Sequence, residues 1–314
     1  MSEIVHSSAA QFGHADAFPE MLAQTLAHWD KVQSAGDSAR LEDLDRVIAA
    51  FRSALQAPSL KPYYLPLHAV LSSAFSERYR HAQQPADLDA AIDAAEQAVQ
   101  LASGLQGDKS TYLNNLANHF AQRFSATKAL PDLDAAIANA EAALHANPEA
   151  FGRRAKRLST LAIRRSARFE QTGTAEDLNA AISLVEEAIA LTPDGHGDKR
   201  GYLNNLANLL SQRHSLNGSR ADLDAAVALS ERAVDLTSDW HGNRAMFLSN
   251  LVGHLCKRFA DAADPGDLAA AIAHAEAAVD LTPHEHKSRA ARLSTLAHLL
   301  SLRSALSDAR AAGE

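Results

Sequence analysis

The five residues Leu113-Asn114-Asn115-Leu116-Ala117 return unchanged as Leu203-Asn204-Asn205-Leu206-Ala207. Weaker copies stand around them at Leu158-Ser159-Thr160-Leu161-Ala162, Leu248-Ser249-Asn250-Leu251 and Leu293-Ser294-Thr295-Leu296-Ala297, each a step of 45 residues from the last. A second phrase keeps the same step: Asp87-Leu88-Asp89, Asp132-Leu133-Asp134, Asp177-Leu178-Asn179, Asp222-Leu223-Asp224 and Asp267-Leu268-Ala269, with Asp43-Leu44-Asp45 one residue out of register. Two markers locked to one period make a tandem array, in which each unit shelters its apolar face against the next. The repeat, and not the 314-residue length, therefore sets the architecture.

In the third unit Leu113, Leu116, Ala117, Phe120 and Phe124 share one face of a helix, and a second helix follows with Leu133, Ala136, Ile137, Ala140 and Leu144. Each unit reads as helix A, a short break, helix B and a connector. Connectors such as Thr192-Pro193-Asp194-Gly195-His196-Gly197 and Thr282-Pro283-His284-Glu285-His286 end helix B and reverse the chain. Asp132 is placed to cap helix B, with Asp134 favourable in its first turn. The pattern predicts an all-α solenoid over 18–308, with helix pairs near 18–56, 62–102, 107–146, 149–191, 197–237 and 242–281. An unpaired helix at 286–308 would cover the last pair, with loose tails at 1–17 and 309–314.

Composition agrees with helices, since alanine and leucine dominate and aromatics make up only 5% of residues. A net charge of -8 leaves no basic excess to meet nucleic acid or an anionic membrane, so neither is an expected partner. Cys256 is the one cysteine, which excludes an internal disulfide and favours a reducing setting. With no secretory leader and no apolar run of the roughly 20 residues a membrane span needs, the expected location is the cytoplasm.

The helix A pattern Leu113, Leu116, Ala117, Phe120 resembles the tetratricopeptide repeat (TPR), and the resemblance covers about 18–308 with a unit longer than the usual 34 residues. The Leu-Asn-Asn-Leu-Ala core after a His-containing connector looks like the repeats of kinesin light chains. Arg78-Tyr79, Arg123-Phe124, Arg168-Phe169 and Arg258-Phe259, each followed by the aspartate phrase, look closer still to the long repeats that precede caspase-like CHAT peptidase domains. That peptidase needs a histidine and cysteine dyad on an α/β domain, which this sequence does not supply. The TPR resemblance implies a right-handed superhelix whose A helices line a concave groove for a partner's peptide or helix.

Opposite the apolar stripe of the third unit's helix A lie Thr111, Asn115, Asn118 and Gln122. Their equivalents are Gly201, Asn205, Asn208 and Gln212, then Met246, Asn250, Gly253 and Lys257, with Lys156 on the same stripe in the fourth unit. Asparagine is a mediocre helix former, so its return in mid-helix asks for a role, and a carboxamide can donate to and accept from a partner's main chain together. The expected groove residues are accordingly Asn115, Asn118, Gln122, Lys156, Asn205, Asn208, Gln212, Asn250 and Lys257. Asn114 and Asn204, about 100 degrees from the stripe, are expected to join neighbouring A helices instead.

The basic run Arg153, Arg154, Lys156, Arg157, Arg164, Arg165 and Arg168 is expected to pair with acids such as Glu141, Glu176, Glu186 and Glu187. An acidic partner segment is the alternative. The recurring arginines at 78, 123, 168, 213, 258 and 303 are expected to reach the aspartates nine residues on. His196, His241 and His286 share one connector position, but successive units stand about 8 to 10 Å apart, too far to share a metal. Lys257 is expected to lower the Cys256 thiol pKa slightly. No catalytic residue, cofactor or metal is expected. The function implied is a protein-binding scaffold; the alternatives are a regulatory module of a larger enzyme such as a CHAT peptidase, and a self-associating structural element.

Overall fold

The computed structural model describes residues 20–35, 41–103, 109–146, 151–238 and 242–313. Those residues form thirteen α-helices, one short 3₁₀ helix and tight connections, with no strand among them. The expected tail at 1–17 and His241 lie outside the described residues.

Two compact units divide the chain, Met1–Ala150 and Phe151–Glu314. The first holds α1 (Glu20–Ala35), α2 (Leu41–Ala54), the 3₁₀ helix Pro58–Tyr63, α3 (Tyr64–Ala82), α4 (Pro85–Ala102), α5 (Lys109–Thr127) and α6 (Leu130–Ala146). The second holds α7 (Phe151–Thr172), α8 (Ala175–Ala190), α9 (Lys199–Asn217), α10 (Arg220–Asp235), α11 (Arg244–Ala262), α12 (Pro265–Asp280) and α13 (Arg289–Gly313). Odd-numbered helices are the A type and even-numbered ones the B type. The last helix, expected to stop at 308, continues to Gly313, because Ala309, Arg310, Ala311 and Ala312 are strong helix formers with no glycine before 313 to end them.

Each pair closes on the predicted stripe. Leu116, Leu161, Leu206 and Leu251 are buried, as are Ala117, Ala162, Ala207 and Val252 beside them. Facing them from the B helices come Leu133, Ala136 and Ile137, then Leu178, Ala181 and Ile182, with the same spacing in α10 and α12. Small alanines let the two helices of a pair approach closely.

The break between A and B is one residue in the left-handed conformation, at Gln83, Lys128, Gly173, Gly218 and Ala263, again one per period. Its N–H returns to the carbonyl of Tyr79, Phe124, Phe169, His214 or Phe259, closing the last turn of helix A. Only two of the five are the glycine that this backbone favours.

The recurring arginine fixes the angle at this break. Arg123 Nε and Nη2 donate to the two carboxylate oxygens of Asp132 at 3.0 and 2.6 Å, and Nη1 reaches Asp89 of the preceding B helix at 2.7 Å. Arg213 holds Asp222 at 2.7 Å through both contacts, and Arg258 holds Asp267 at 3.0 and 2.6 Å with Asp224 beyond at 3.4 Å. Arg168 holds both oxygens of Asp177 in the same way, while Arg78 brings Nε and Nη2 to the one oxygen Oδ1 of Asp87. Asp132 therefore does not cap helix B as expected. It sits inside the first turn, buried, with its carboxylate turned to the arginine. Side-chain caps come instead from Ser219, accepting from the Asp222 N–H, and Asp264, accepting from the Gly266 N–H.

Connectors have a lock of their own. Lys199 Nζ donates to the Thr192 carbonyl at 2.8 Å, Arg244 to the carbonyls of Val234 and Thr237, and Arg289 to those of Val279 and Thr282. A cation from α9, α11 and α13 thus satisfies the open carbonyl end of the B helix before it.

Replacing Ala263 by glycine relieves a left-handed alanine and is expected to raise stability by roughly 0.5 kcal/mol, whereas Gly218→Ala should lower it by roughly 1 kcal/mol. Urea-unfolding midpoints of the two variants check the opposite signs.

Candidate functional site

The polar stripe resolves into two rows with different duties. Along one row, side chains join neighbouring A helices within a unit. Ser76 Oγ donates to Gln122 Oε1 at 2.7 Å in the first unit. In the second, Asn205 donates to Ser159 Oγ at 3.2 Å, Ser166 to Gln212 at 3.2 Å, and Asn250 to Asn204 Oδ1 at 2.8 Å. Lys257 Nζ reaches Ser211 Oγ and Ser215 Oγ at 2.9 and 3.0 Å. Gln122, Asn205, Gln212, Asn250 and Lys257, read from sequence as groove residues, are thus rungs of an inter-helix ladder, and Asn204 serves there as expected. Most rungs pair residues 46 apart, one more than the period, because each A helix is turned against its predecessor.

The second row lies one step further round. It carries Thr111 and Asn118 in α5, and in the second unit Lys156 and Ile163, Gly201 and Asn208, Met246 and Gly253, and Ala291 and His298. Each pair is seven residues apart, two helical turns on one face. Asn118, Lys156 and Asn208 are half-buried, and Asn115 beside them likewise. The carboxamides of Asn115 and Asn208 make no hydrogen bond to any described residue. Ile163, in the middle of α7, is 57% exposed and Met246, in the first turn of α11, 42% exposed, although both are large apolar side chains. Gly201 and Gly253 face open space, since a Cβ on either would meet nothing within 4 Å. Neither glycine is needed by its own backbone or by a neighbour, and each costs its helix about 1 kcal/mol relative to alanine.

Two cavities open along this row. One of about 330 Å³ is lined by Lys156, Arg200, Gly201, Tyr202, Asn205 and Met246 at the N-terminal ends of the A helices. The other, about 250 Å³, lies between α11, α12 and α13 and is lined by Met246, Val252, Ala275, Ala278, Arg292 and Thr295. Met246 lines both, so the two adjoin. Sequence reasoning placed Lys156 and Asn205 here but missed Arg200 and Arg292. Arg292 fills the place of Phe247 and Tyr202 in earlier units, and that substitution was the available signal. Its guanidinium is held by the hydroxyls of Ser249, at 3.1 Å, and Thr282, and burial pulls its pKa down.

The basic helix α7 spends most of its charge internally. Arg154 donates to Glu187 at 3.0 and 2.8 Å, and Arg165 and Arg168 converge on Asp177 at 2.9 and 2.5 Å. Arg168, with Arg165 behind it, holds the Asp177 carboxyl below the ordinary range against the opposing pull of burial. Arg164 is buried, which brings its pKa down to about 10. His119 and His254 occupy the same repeat position, both buried, and burial lowers each pKa to about 4. Cys256 is half-buried in α11, and burial pushes its thiol up, contrary to the expected lowering by Lys257, whose ammonium is turned to Ser211 and Ser215. No group of three or more potential metal ligands exists among the described residues, and no described helix is long and apolar enough to cross a membrane.

No protein-family profile matches the sequence, and no curated relative matches it. Solved structures do match in fold. The quorum sensor NprR from B. thuringiensis, in its apo form, is 15% identical with a TM-score of 0.56, covering 94% of this chain and 74% of that one. The S. pombe nuclear import adaptor Nro1 is 13% identical with a TM-score of 0.53, covering 89% and 98%. YrrB, a TPR protein with an unusual peptide-binding site, is 16% identical with a TM-score of 0.47, covering 75% and 94%. The chain therefore has the all-α helix-pair fold of TPR proteins, as its repeat predicts.

The two depressed histidines make a pH prediction. An unfolded histidine titrates near 6.5 while the folded pair titrates near 4, so acid protonates the unfolded chain first, and stability is lost as pH falls from about 6.5 towards 4. Above that window these groups contribute no pH dependence. Leucine fills the position of His254 at Leu209 and Leu299, both buried. His254→Leu is expected to shrink the stability difference between about pH 8 and about pH 5 by roughly 2 kcal/mol, read from urea midpoints.

Proposed function

We propose that this chain is a non-catalytic scaffold that grips an extended segment or helix of a partner protein along the inner row of A helices in its second unit. The observation that supports this most is the exposure of Ile163 and Met246 beside the unpaired amide of Asn208, on a face where Gly201 and Gly253 leave room for a partner's backbone. An exposed apolar row bordered by polar groups stabilises a bound chain by burial, while the amide supplies a main-chain contact that tolerates many sequences.

Ladder residues then act as supports. Asn205, Gln212, Asn250 and Lys257 hold α7, α9 and α11 side by side, so that the row presents a fixed spacing to the partner. Asn115 and Asn118 extend the same reading to α5 in the first unit, as a separate contact surface.

Peptides selected on the immobilised full chain from a random library, then titrated by calorimetry, test the assignment. Met246→Glu and Asn208→Lys are each expected to weaken the selected peptides by about tenfold or more, while Arg220→Glu on the outer helix α10 should leave affinity unchanged. Equal affinity for all three variants would falsify the inner-row assignment.

A further inference from the structure

In α5, α7, α9 and α11 the first leucine of the core phrase is buried. Leu113, Leu158, Leu203 and Leu248 are 7%, 1%, 1% and 3% exposed. Leu293, the same residue of α13, is 44% exposed. Ala297 is exposed too, whereas Ala117, Ala162 and Ala207 are buried, and Leu296 and Leu300 are only half-buried. The seam on α13 thus repeats that of α7, Leu-Ser-Thr-Leu-Ala in both, without the helix that covers it there.

The arginine of the bridge is present as well. Arg303 stands 45 residues after Arg258, exposed, and its guanidinium makes no hydrogen bond or ion pair with any described residue. The preceding B helix offers Ala269 where Asp89 and Asp224 supply a carboxylate to their arginines. Both halves of the recognition that joins A to B, an apolar seam and a guanidinium waiting for a first-turn aspartate, are therefore exposed on one helix.

We propose that α13 is the docking face for a further B-type helix: an alanine-rich amphipathic helix with aspartate in its first turn, followed at once by leucine, that covers Leu293, Leu296, Ala297 and Leu300 and takes Arg303. Charge complementarity supports this occupant over a second copy of α13, which has no acidic residue in its first turn to offer Arg303. The occupant is defined by what the other repeats use. In α10, Asp222 receives Arg213 while Leu223, Ala226 and Val227 are buried, as are Leu203 and Leu206 of α9, the helix against which α10 packs. The face is distinct from the inner row and does not rest on it.

The probe is a fluorescent synthetic peptide of residues 219–237, the α10 helix with its Ser219 cap, titrated against the full chain by anisotropy. Saturable binding is expected, weakened about tenfold by Arg303→Glu and recovered when that variant meets a peptide carrying Asp222→Arg. Leu293→Asp should also weaken it, and because both residues are exposed, circular dichroism of the variants should match the parent. Absence of saturable binding, or binding indifferent to Arg303→Glu, overturns the proposal. So does a concentration-dependent dimer in light scattering that Leu293→Asp dissolves, since that assigns the face to a second copy.

Discussion

A buried carboxylate that a distant arginine must neutralise governs how each repeat closes. Asp87, Asp132, Asp177, Asp222 and Asp267 are all buried inside the first turn of a B helix, where an unpaired charge is costly. Each is met by a guanidinium nine residues earlier, across the left-handed residue that ends helix A. At Asp132, Asp177, Asp222 and Asp267 the bond engages both carboxylate oxygens, and at Asp87 both nitrogens meet Oδ1, so it specifies the angle between the two helices as well as their proximity. Where the third nitrogen also reaches the preceding B helix, at Asp45, Asp89, Asn179 and Asp224, one side chain ties three helices together. The first pair shows the contrast: Gln33 stands in place of the arginine, and Asp43 is left a third exposed beside His28.

With pair geometry fixed this way, the polar faces of the A helices are free to do two things at once. One row is consumed in holding neighbours together, through amides, serines and Lys257. The adjacent row carries the exposed isoleucine and methionine, two glycines and the asparagines. The same repeat chemistry leaves the seam and the arginine of α13 exposed.

Much of this was legible in the residues. The period, the helix pairs, the apolar stripe and the arginine-to-aspartate spacing of nine all follow from identity and position along the chain. Local assignments failed where two explanations fit one residue. Asp132 satisfied the composition rule for a helix cap, yet the arginine nine residues before it competes for the same carboxylate and wins, because a buried ion needs a partner more than an exposed N–H does. Asn204 and Asn205 are neighbours with identical side chains, and both prove to be ladder rungs, one accepting from Asn250 and the other donating to Ser159. The rung spacing of 46 against a period of 45 reflects a small rotation between successive helices, which no single sequence encodes visibly. Burial of Arg164, His119 and His254 at one shared position was missed for the same reason: it depends on the flank an A helix turns towards its predecessor.

A double-mutant cycle on Arg213 and Asp222, with Arg213→Met and Asp222→Asn made singly and together, measures the bridge most directly. If the pair sets helix-pair geometry, each single change should destabilise strongly and the double change should cost far less than their sum, a coupling of about 2 kcal/mol. Strict additivity in the urea midpoints, with each change costing only a few tenths of a kcal/mol as an exposed ion pair would, would contradict the account.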